Sequence, residues 1–189
     1  REPADVAMDM LDCPDLVDCA MADARSIYPA VYDALYEAGH MDGRGSIGWI
    51  AYYSPERFAV MQCDFAIMVS PEHFDRFILP ALEEEAGFLD HSVYHYDGPG
   101  ALRHLDSVLG ISDLDSIQWV PGAGNKPQHE WVDLLLKIQK AGKSGHLAAP
   151  AEACKALHKV LDPRLVFYQT SAGSEKEADE LVVWFTRNT

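Results

Sequence analysis

The stretch of sequence that decides the fold is DHSVYHYDGPGALRHLDSVLGISDLDSIQWVPGAG, residues 90–124. Residues 92–96 form an aromatic and β-branched run, which predicts a strand. Gly98-Pro99-Gly100 ends that strand, residues 101–109 have the apolar spacing of a helix, and residues 116–120 predict a second strand. The segment therefore predicts a βαβ unit.

The first strand of this unit carries two polar side chains near its end. His95 and Asp97 are two positions apart, so both leave the same face of the strand and can converge on one ligand. Imidazole and carboxylate suit a zinc ion, or a general base and the carboxylate that orients it. The alternative is a hydrogen-bonded pair that only fixes the turn at Gly98. The functional interpretation makes both residues candidates for catalysis and for metal binding.

The composition is that of a soluble globular protein. With 189 residues, 48% of them hydrophobic and 24% charged, the chain can build one substantial core, which predicts a single domain over residues 1–189. No run of 18 apolar residues and no signal-peptide pattern occurs, so we expect a cytoplasmic protein with neither membrane span nor export. Four cysteines without CxxC spacing favour reduced thiols over disulfides.

The charge balance argues against one class of partner. Thirty acidic and 15 basic residues give a net charge of −15, which repels the phosphate backbone of nucleic acids. A small anionic substrate stays compatible with this charge, because helix N-termini and a few arginines can create a local positive site.

Strand and helix patterns alternate along the chain. The predicted helices cover residues 12–39 with a kink or break at Pro29, 70–90, 130–141, 151–161 and 175–185; the predicted strands cover residues 49–53, part of 58–68, and 165–170, with a short run at 146–149. Ser70-Pro71-Glu72 and Ser174 are strong helix starts. This order predicts an α/β fold with a parallel sheet and helical crossovers.

The chain length bears on whether that sheet closes. A closed barrel of eight βα units needs about 250 residues, so this chain would form only part of one. A partial barrel leaves two strand edges open, which a missing segment, a partner or the second subunit of a homodimer would have to cover.

Several motifs follow one another in the order found in a known family. They are Cys63-Asp64-Phe65, Ser70-Pro71-Glu72, residues 77–80 (FILP), residues 94–100 (YHYDGPG), His104-Leu105-Asp106, residues 117–124 (IQWVPGAG) and residues 174–178 (SEKEA). The chain resembles the uroporphyrinogen decarboxylase superfamily, in particular its members related to corrinoid-dependent methyltransferases. The resemblance covers most of the chain from Trp49 onward. It implies a (β/α)8 TIM barrel with a ligand site at the carboxyl ends of the strands, of which this chain would be the later part.

The resemblance also sets expectations about chemistry. In the methyltransferase branch, a His-x-Cys pair at a strand end and a later cysteine hold zinc, and the methyl group moves to or from a corrinoid. Here the matching strand reads His95-Tyr96-Asp97 and the last strand ends in Thr170-Ser171 without a thiol. In the decarboxylase branch, an acidic residue and arginines from early strands bind the tetrapyrrole. This chain has no counterpart to them.

Two further candidates come from the segments around the βα unit. Asp64 ends a hydrophobic run and is a third candidate catalytic residue, while Cys63 beside it is interpreted as a small buried side chain. Arg103 can supply positive charge near the site, or can pair with a surface acid. His104 and Asp106 are predicted to be solvated or helix-capping.

Other residues are candidates for binding substrate. Gln118 can hydrogen-bond a ligand, and Gly98 allows the backbone to approach one closely. Trp49 and Tyr52 can line an apolar pocket, although aromatic residues on a strand more often belong to the core. His146 and Glu152 are possible additional ligands.

Three hypotheses about function remain open on the sequence. The first is an enzyme domain that transfers a methyl group between a corrinoid and a metal-activated substrate. The second is decarboxylation of a tetrapyrrole of the uroporphyrinogen type, or of a smaller carboxylic acid. The third is a non-catalytic half-barrel that binds ligand or completes a partner subunit. The sequence leaves open the substrate, the oligomeric state and whether Arg1 is a natural start.

Overall fold

A computed structural model describes residues 2–50 and 52–189. The chain forms two compact units. The first contains the chain up to His95 together with Gly100–Asp115, and the second contains Tyr96–Pro99 and Ser116–Thr189. The fourth strand passes from the first unit into the second between His95 and Tyr96.

After a helical start and a short antiparallel pair of strands, strands and helices alternate along the chain. The helices are α1 (Pro3–Asp12), α2 (Pro14–Ser26), α3 (Tyr28–Ala38), α4 (Met41–Arg44), α5 (Pro71–His73), α6 (Leu79–Phe88), α7 (Leu105–Leu109), α8 (Val132–Lys140), α9 (Ala151–Leu157) and α10 (Glu175–Asn188). The strands are β1 (Ser46–Ile47), β2 (Tyr53–Ser54), β3 (Phe58–Gln62), β4 (His91–Asp97), β5 (Ser116–Val120), β6 (Ser144–Ala148) and β7 (Val166–Gln169).

The main sheet has five parallel strands in the order β3-β4-β5-β6-β7, which is also their order along the chain. In the first unit, Phe58 pairs with His91 and Gln62 with His95. In the second unit, β5 pairs with β6 from Ser116 onward, and β6 pairs with β7. The prediction of an α/β fold with a parallel sheet and helical crossovers is confirmed.

The helix predicted from Ser70 is confirmed, and its start follows from local chemistry. The Ser70 hydroxyl accepts a hydrogen bond from the backbone N–H of His73 at 3.3 Å, and Pro71 occupies the first turn. A π-helical turn over Phe74–Ile78 joins α5 to α6. Pro80 follows this turn, and it has no N–H to donate to the carbonyl four residues earlier. The predicted inward stripe, which includes Phe74 and Phe77, is buried.

The prediction of one strand over residues 49–53 is wrong: of its described residues only Tyr53 is in a strand, as the first residue of β2, and Ala51 lies outside the described residues. Trp49 and Ile50 form a bend, while the two short strands β1 and β2 pair antiparallel on either side of it. Gly48 explains part of the difference: a Cβ there would lie 2.6 Å from a methyl carbon of Val60, so the backbone approaches β3 too closely for any other residue.

The helical region at residues 12–39 divides into α2 and α3 at Ile27, as Pro29 predicts. Tyr32 of α3 then closes part of the edge of β3. Its hydroxyl accepts a hydrogen bond from the backbone N–H of Phe58 at 2.8 Å and donates one to the Phe58 carbonyl at 3.0 Å. Helix α1 was not predicted from the sequence.

Candidate functional site

The carboxyl end of β4 carries the two residues on which the sequence prediction depends. His95 is half-buried and Asp97, the last residue of the strand, is exposed; strand alternation places both on one face. The turn that follows needs glycine, since Gly98 has a φ of 79°. In the second unit, the Gly98 N–H donates a hydrogen bond to the Val120 carbonyl at 2.8 Å, which fixes the backbone just after Asp97.

An aromatic side chain lies beside His95. The rings of Trp49 and His95 meet edge to face, with 4.7 Å between their centroids. Trp49 is 60% exposed although it is a large apolar residue, so its indole is available to a ligand. Tyr52 differs, because it packs on the small cluster of Ile50, Phe58 and Val93. Of the two aromatic candidates, Trp49 fits a binding role better.

Asp64 and Cys63 follow β3 directly, because that strand ends at Gln62. They therefore do not alternate along a strand as the sequence suggested. Asp64 begins a 3₁₀ helix, Asp64–Met68, and its side chain is exposed. Cys63 is half-buried, and burial, more than any nearby charge, raises the pKa of its thiol. Cys63 is thus held in the neutral thiol form, while the Asp64 carboxylate is open to solvent.

Arg103 links two stretches of backbone in the first unit. Its guanidinium donates hydrogen bonds to the carbonyls of Gly100 at 3.0 Å and Ile67 at 3.2 Å. Ile67 belongs to the 3₁₀ helix that begins at Asp64. Arg103 therefore links this short helix to the backbone at Gly100, and its side chain is exposed.

The prediction that His104 is solvated or capping is wrong, since its side chain is 1% exposed. The imidazole stacks on Phe74 with 4.4 Å between ring centroids, and Nε2 lies 2.9 Å from the Ala66 carbonyl oxygen. A carbonyl only accepts, so Nε2 carries the proton. Nδ1 is buried and has no hydrogen-bond partner among the described residues. His104 and Arg103 thus both hydrogen-bond the backbone of the 3₁₀ helix Asp64–Met68.

The buried imidazole makes the stability of the first unit depend on pH. Desolvation is the main cause that lowers the pKa of His104, and the charge of Arg103 adds to it; the Ala66 hydrogen bond and Asp75 oppose them. The unfolded chain therefore binds this proton more readily than the folded one. The stabilisation is complete above the ordinary histidine pKa of about 6.5 and is lost as pH falls through that value toward the folded pKa.

We expect the urea midpoint of unfolding to fall between about pH 7 and about pH 5, and to fall less in His104→Gln than in the parent protein. Glutamine keeps a donor for the Ala66 carbonyl but cannot become charged. The exposed His40, changed to asparagine, is the matched control and should keep the parental pH dependence. An identical pH dependence in His104→Gln and the parent would contradict the prediction.

A group of buried polar side chains lies along the strands of the second unit. Gln118 of β5 is 9% exposed, and His146 of β6 is 1% exposed. His146 Nε2 lies 2.9 Å from the side-chain carbonyl oxygen of Gln169, at the carboxyl end of β7. Burial lowers the pKa of His146, although this hydrogen bond partly opposes it. The imidazole is therefore held neutral, with Nε2 as the donor.

Gln128 is the residue of this region that sequence reasoning missed. Its amide nitrogen donates to the carbonyls of Trp119 and His146, and its amide oxygen accepts from the Ala148 N–H at 2.6 Å. One buried side chain thus ties the loop before α8 to the carboxyl ends of β5 and β6. No periodic pattern marks Gln128 in the sequence; the only signal is its place in the proline- and glycine-rich loop after a strand.

The residues do not fit the expected zinc site. The positions that resemble the zinc-binding strand hold one imidazole and one carboxylate, His95 and Asp97. Across residues 2–50 and 52–189, no group of three or more His, Cys, Asp or Glu side chains is placed to hold a metal ion. Glu152, another possible ligand, pairs with Lys155 at 2.8 Å. Two ligands alone leave a zinc ion without its usual coordination.

Comparisons with protein-family models, with curated proteins and with solved structures found nothing that matches this chain. None of the helices in the described part of the chain combines the length and the apolar character that a bilayer-crossing segment needs.

Proposed function

We propose that this chain is the later part of a (β/α)8 barrel of the uroporphyrinogen decarboxylase type, and that it acts in methyl transfer to or from a corrinoid carrier. The observation that carries the proposal is the end of β4, where His95 and Asp97 share a strand face and Trp49 borders the imidazole. Active sites of such barrels lie at the carboxyl ends of their strands. The ordered motifs that resemble this family support the same interpretation.

In the proposed reaction, His95 acts as general base on a substrate thiol or hydroxyl. The proton moves to the imidazole, and the thiolate or alkoxide attacks the methyl carbon of the corrinoid. The bond between cobalt and carbon breaks, and its electron pair stays on the corrinoid. Asp97 orients the imidazole or the substrate, and the exposed face of Trp49 contacts apolar substrate atoms. No step passes through zinc.

The other candidate residues take supporting roles. Asp64 lies at the end of β3, where Arg103 and His104 hold its 3₁₀ helix in place, and it assists by binding a polar substrate group. Gln118 and the Gly98 turn belong to the second unit, and their roles in binding substrate stay predictions from the sequence.

Incubation with a methylated corrinoid and a thiol tests the proposal. We expect demethylation of the corrinoid, which its absorbance spectrum reports, and formation of the methyl thioether in equal amount. A parallel incubation with uroporphyrinogen, in which the loss of carboxyl groups is measured, tests decarboxylation. Turnover of uroporphyrinogen without methyl transfer would replace the proposal with the decarboxylase hypothesis. Absence of both activities in a protein that is folded and monomeric would overturn it.

One observation favours a second candidate, a half-barrel completed by a partner or by a second copy. Strand β7 is the last of the sheet, and a cavity of about 460 Å³ lies between it and α10, lined partly by Phe167, Leu181 and Val182. An open strand edge beside apolar surface is a place where another chain can pair. Light scattering during size-exclusion chromatography tests this candidate; a monomer with full methyl-transfer activity would exclude it.

A further inference from the structure

Helices α1 and α2 form a groove that the proposed reaction does not use. The groove has a volume of about 280 Å³ and is lined by apolar side chains, among them Val6, Leu16, Val17 and Met21, with Asp9 on its wall. Helix α2 contains no fully buried residue. The apolar groove therefore stays open on the surface of the first unit.

The apolar side chains that line this groove are open to solvent. Leu16 is 66% exposed, and Val6, Val17 and Met21 are half-buried. Scattered single apolar residues are common on protein surfaces, but a contiguous set bordering a groove marks an interaction site. Met21 adds a flexible, polarisable side chain to the lining, which adapts to the shape of a bound apolar surface.

The two helices that form the groove are strongly acidic. Residues 2–24 contain seven acidic side chains and no lysine, arginine or histidine. Asp15 and Asp18 form ion pairs with Arg76, at 3.1 and 2.6 Å, which fasten α2 to the helix that begins at Pro71. The carboxylates of Asp5 and Asp12 are exposed. A second copy of the same acidic surface, or an anionic membrane, would be repelled by it.

From these features we infer that the acidic groove of α1 and α2 binds a basic amphipathic helix of a partner protein. The apolar face of such a helix inserts between the two helices, with anchors at helical spacing, and its lysines or arginines face the exposed carboxylates of α1 and α2. With 10 and 13 residues, α1 and α2 offer room for about three turns of bound helix. This inference does not depend on methyl transfer.

The probe is a fluorescent peptide of leucine and lysine about 14 residues long, with its leucines on one helical face. We expect it to bind the full chain, and we expect binding to weaken as salt rises, because exposed charges are screened. Leu16→Gln should weaken binding about tenfold, since it removes apolar surface that the peptide covers. Leu35→Gln, on α3 and similarly exposed at 63%, is the matched control and should bind like the parent.

Circular dichroism before and after melting checks that Leu16→Gln is folded, which its 66% exposure leads us to expect. Asp5→Asn combined with Asp12→Asn should weaken binding and reduce its dependence on salt. Three results would overturn the inference: equal binding of a peptide with glutamate in place of lysine, equal loss in Leu16→Gln and Leu35→Gln, or dimerisation that Leu16→Gln abolishes. Stronger binding to neutral phosphatidylcholine vesicles than to the peptide would assign the groove to lipid surfaces instead.

Discussion

Replacing Gln128 with leucine is expected to lower the free energy of unfolding of the second unit by about 3 kcal/mol. The substitution leaves three backbone groups without their partner: the carbonyls of Trp119 and His146 and the N–H of Ala148. Gln128 is 8% exposed, so water does not readily replace the lost hydrogen bonds. Unfolding in urea, followed by tryptophan fluorescence, measures the effect, since three of the four tryptophans belong to the second unit.

Gln139 is a matched control for this prediction. It also makes three hydrogen bonds to backbone groups, donating to the carbonyls of Asp162 and Leu165 and accepting from the Asp162 N–H. Gln139 is only half-buried, so solvent reaches these groups when the side chain is removed. Gln139→Leu should therefore cost about 1 kcal/mol. Equal losses in the two variants would show that burial of the Gln128 hydrogen bonds does not decide their contribution.

The distance in sequence between contacting residues explains which parts of the fold the sequence predicts. The helix from Pro71 is predictable because its cap, its proline and its inward stripe lie within a few turns of one another. Strands β4 and β5 are likewise marked by their own side chains. The segment at 49–53 has strand-forming aromatics, which predict a strand. The observed bend depends instead on two contacts outside the segment, the pairing of Ser46 with Ser54 and the close approach of Gly48 to Val60.

The residues of the candidate site also differ in whether a local pattern or a distant contact places them. The local pattern of β4 is enough to place His95 and Asp97 on one strand face. The partners of His104 are not local: Ala66 is 38 residues away in the sequence, and the stacked Phe74 is on another helix. The partners of Gln128 belong to β5, which precedes it in the sequence, and to β6, which follows it. Hydrogen bonds of this kind depend on the packed fold, and no periodic pattern in the sequence predicts them.

Replacing His95 with glutamine should lower kcat for methyl transfer by about 100-fold or more, because the variant loses the general base. KM should change much less, since glutamine keeps a polar side chain of similar length beside Trp49. His91→Gln is the matched control: His91 is the first residue of the same strand, 52% exposed, and lies 3.4 Å from Glu56. It is at the amino end of β4, away from the proposed chemistry, so we expect the parental rate.

A second measurement separates proton transfer from a structural role for His95. His95→Ala removes the imidazole and leaves space beside the Trp49 ring, whose centroid lies 4.7 Å from that of His95. Free imidazole added to this variant should restore part of the rate if the lost function is acceptance of a proton. Equal rates in His95→Gln and His91→Gln would remove His95 from the mechanism. A slow His95→Ala variant that imidazole does not rescue would leave His95 as a residue that shapes the end of β4.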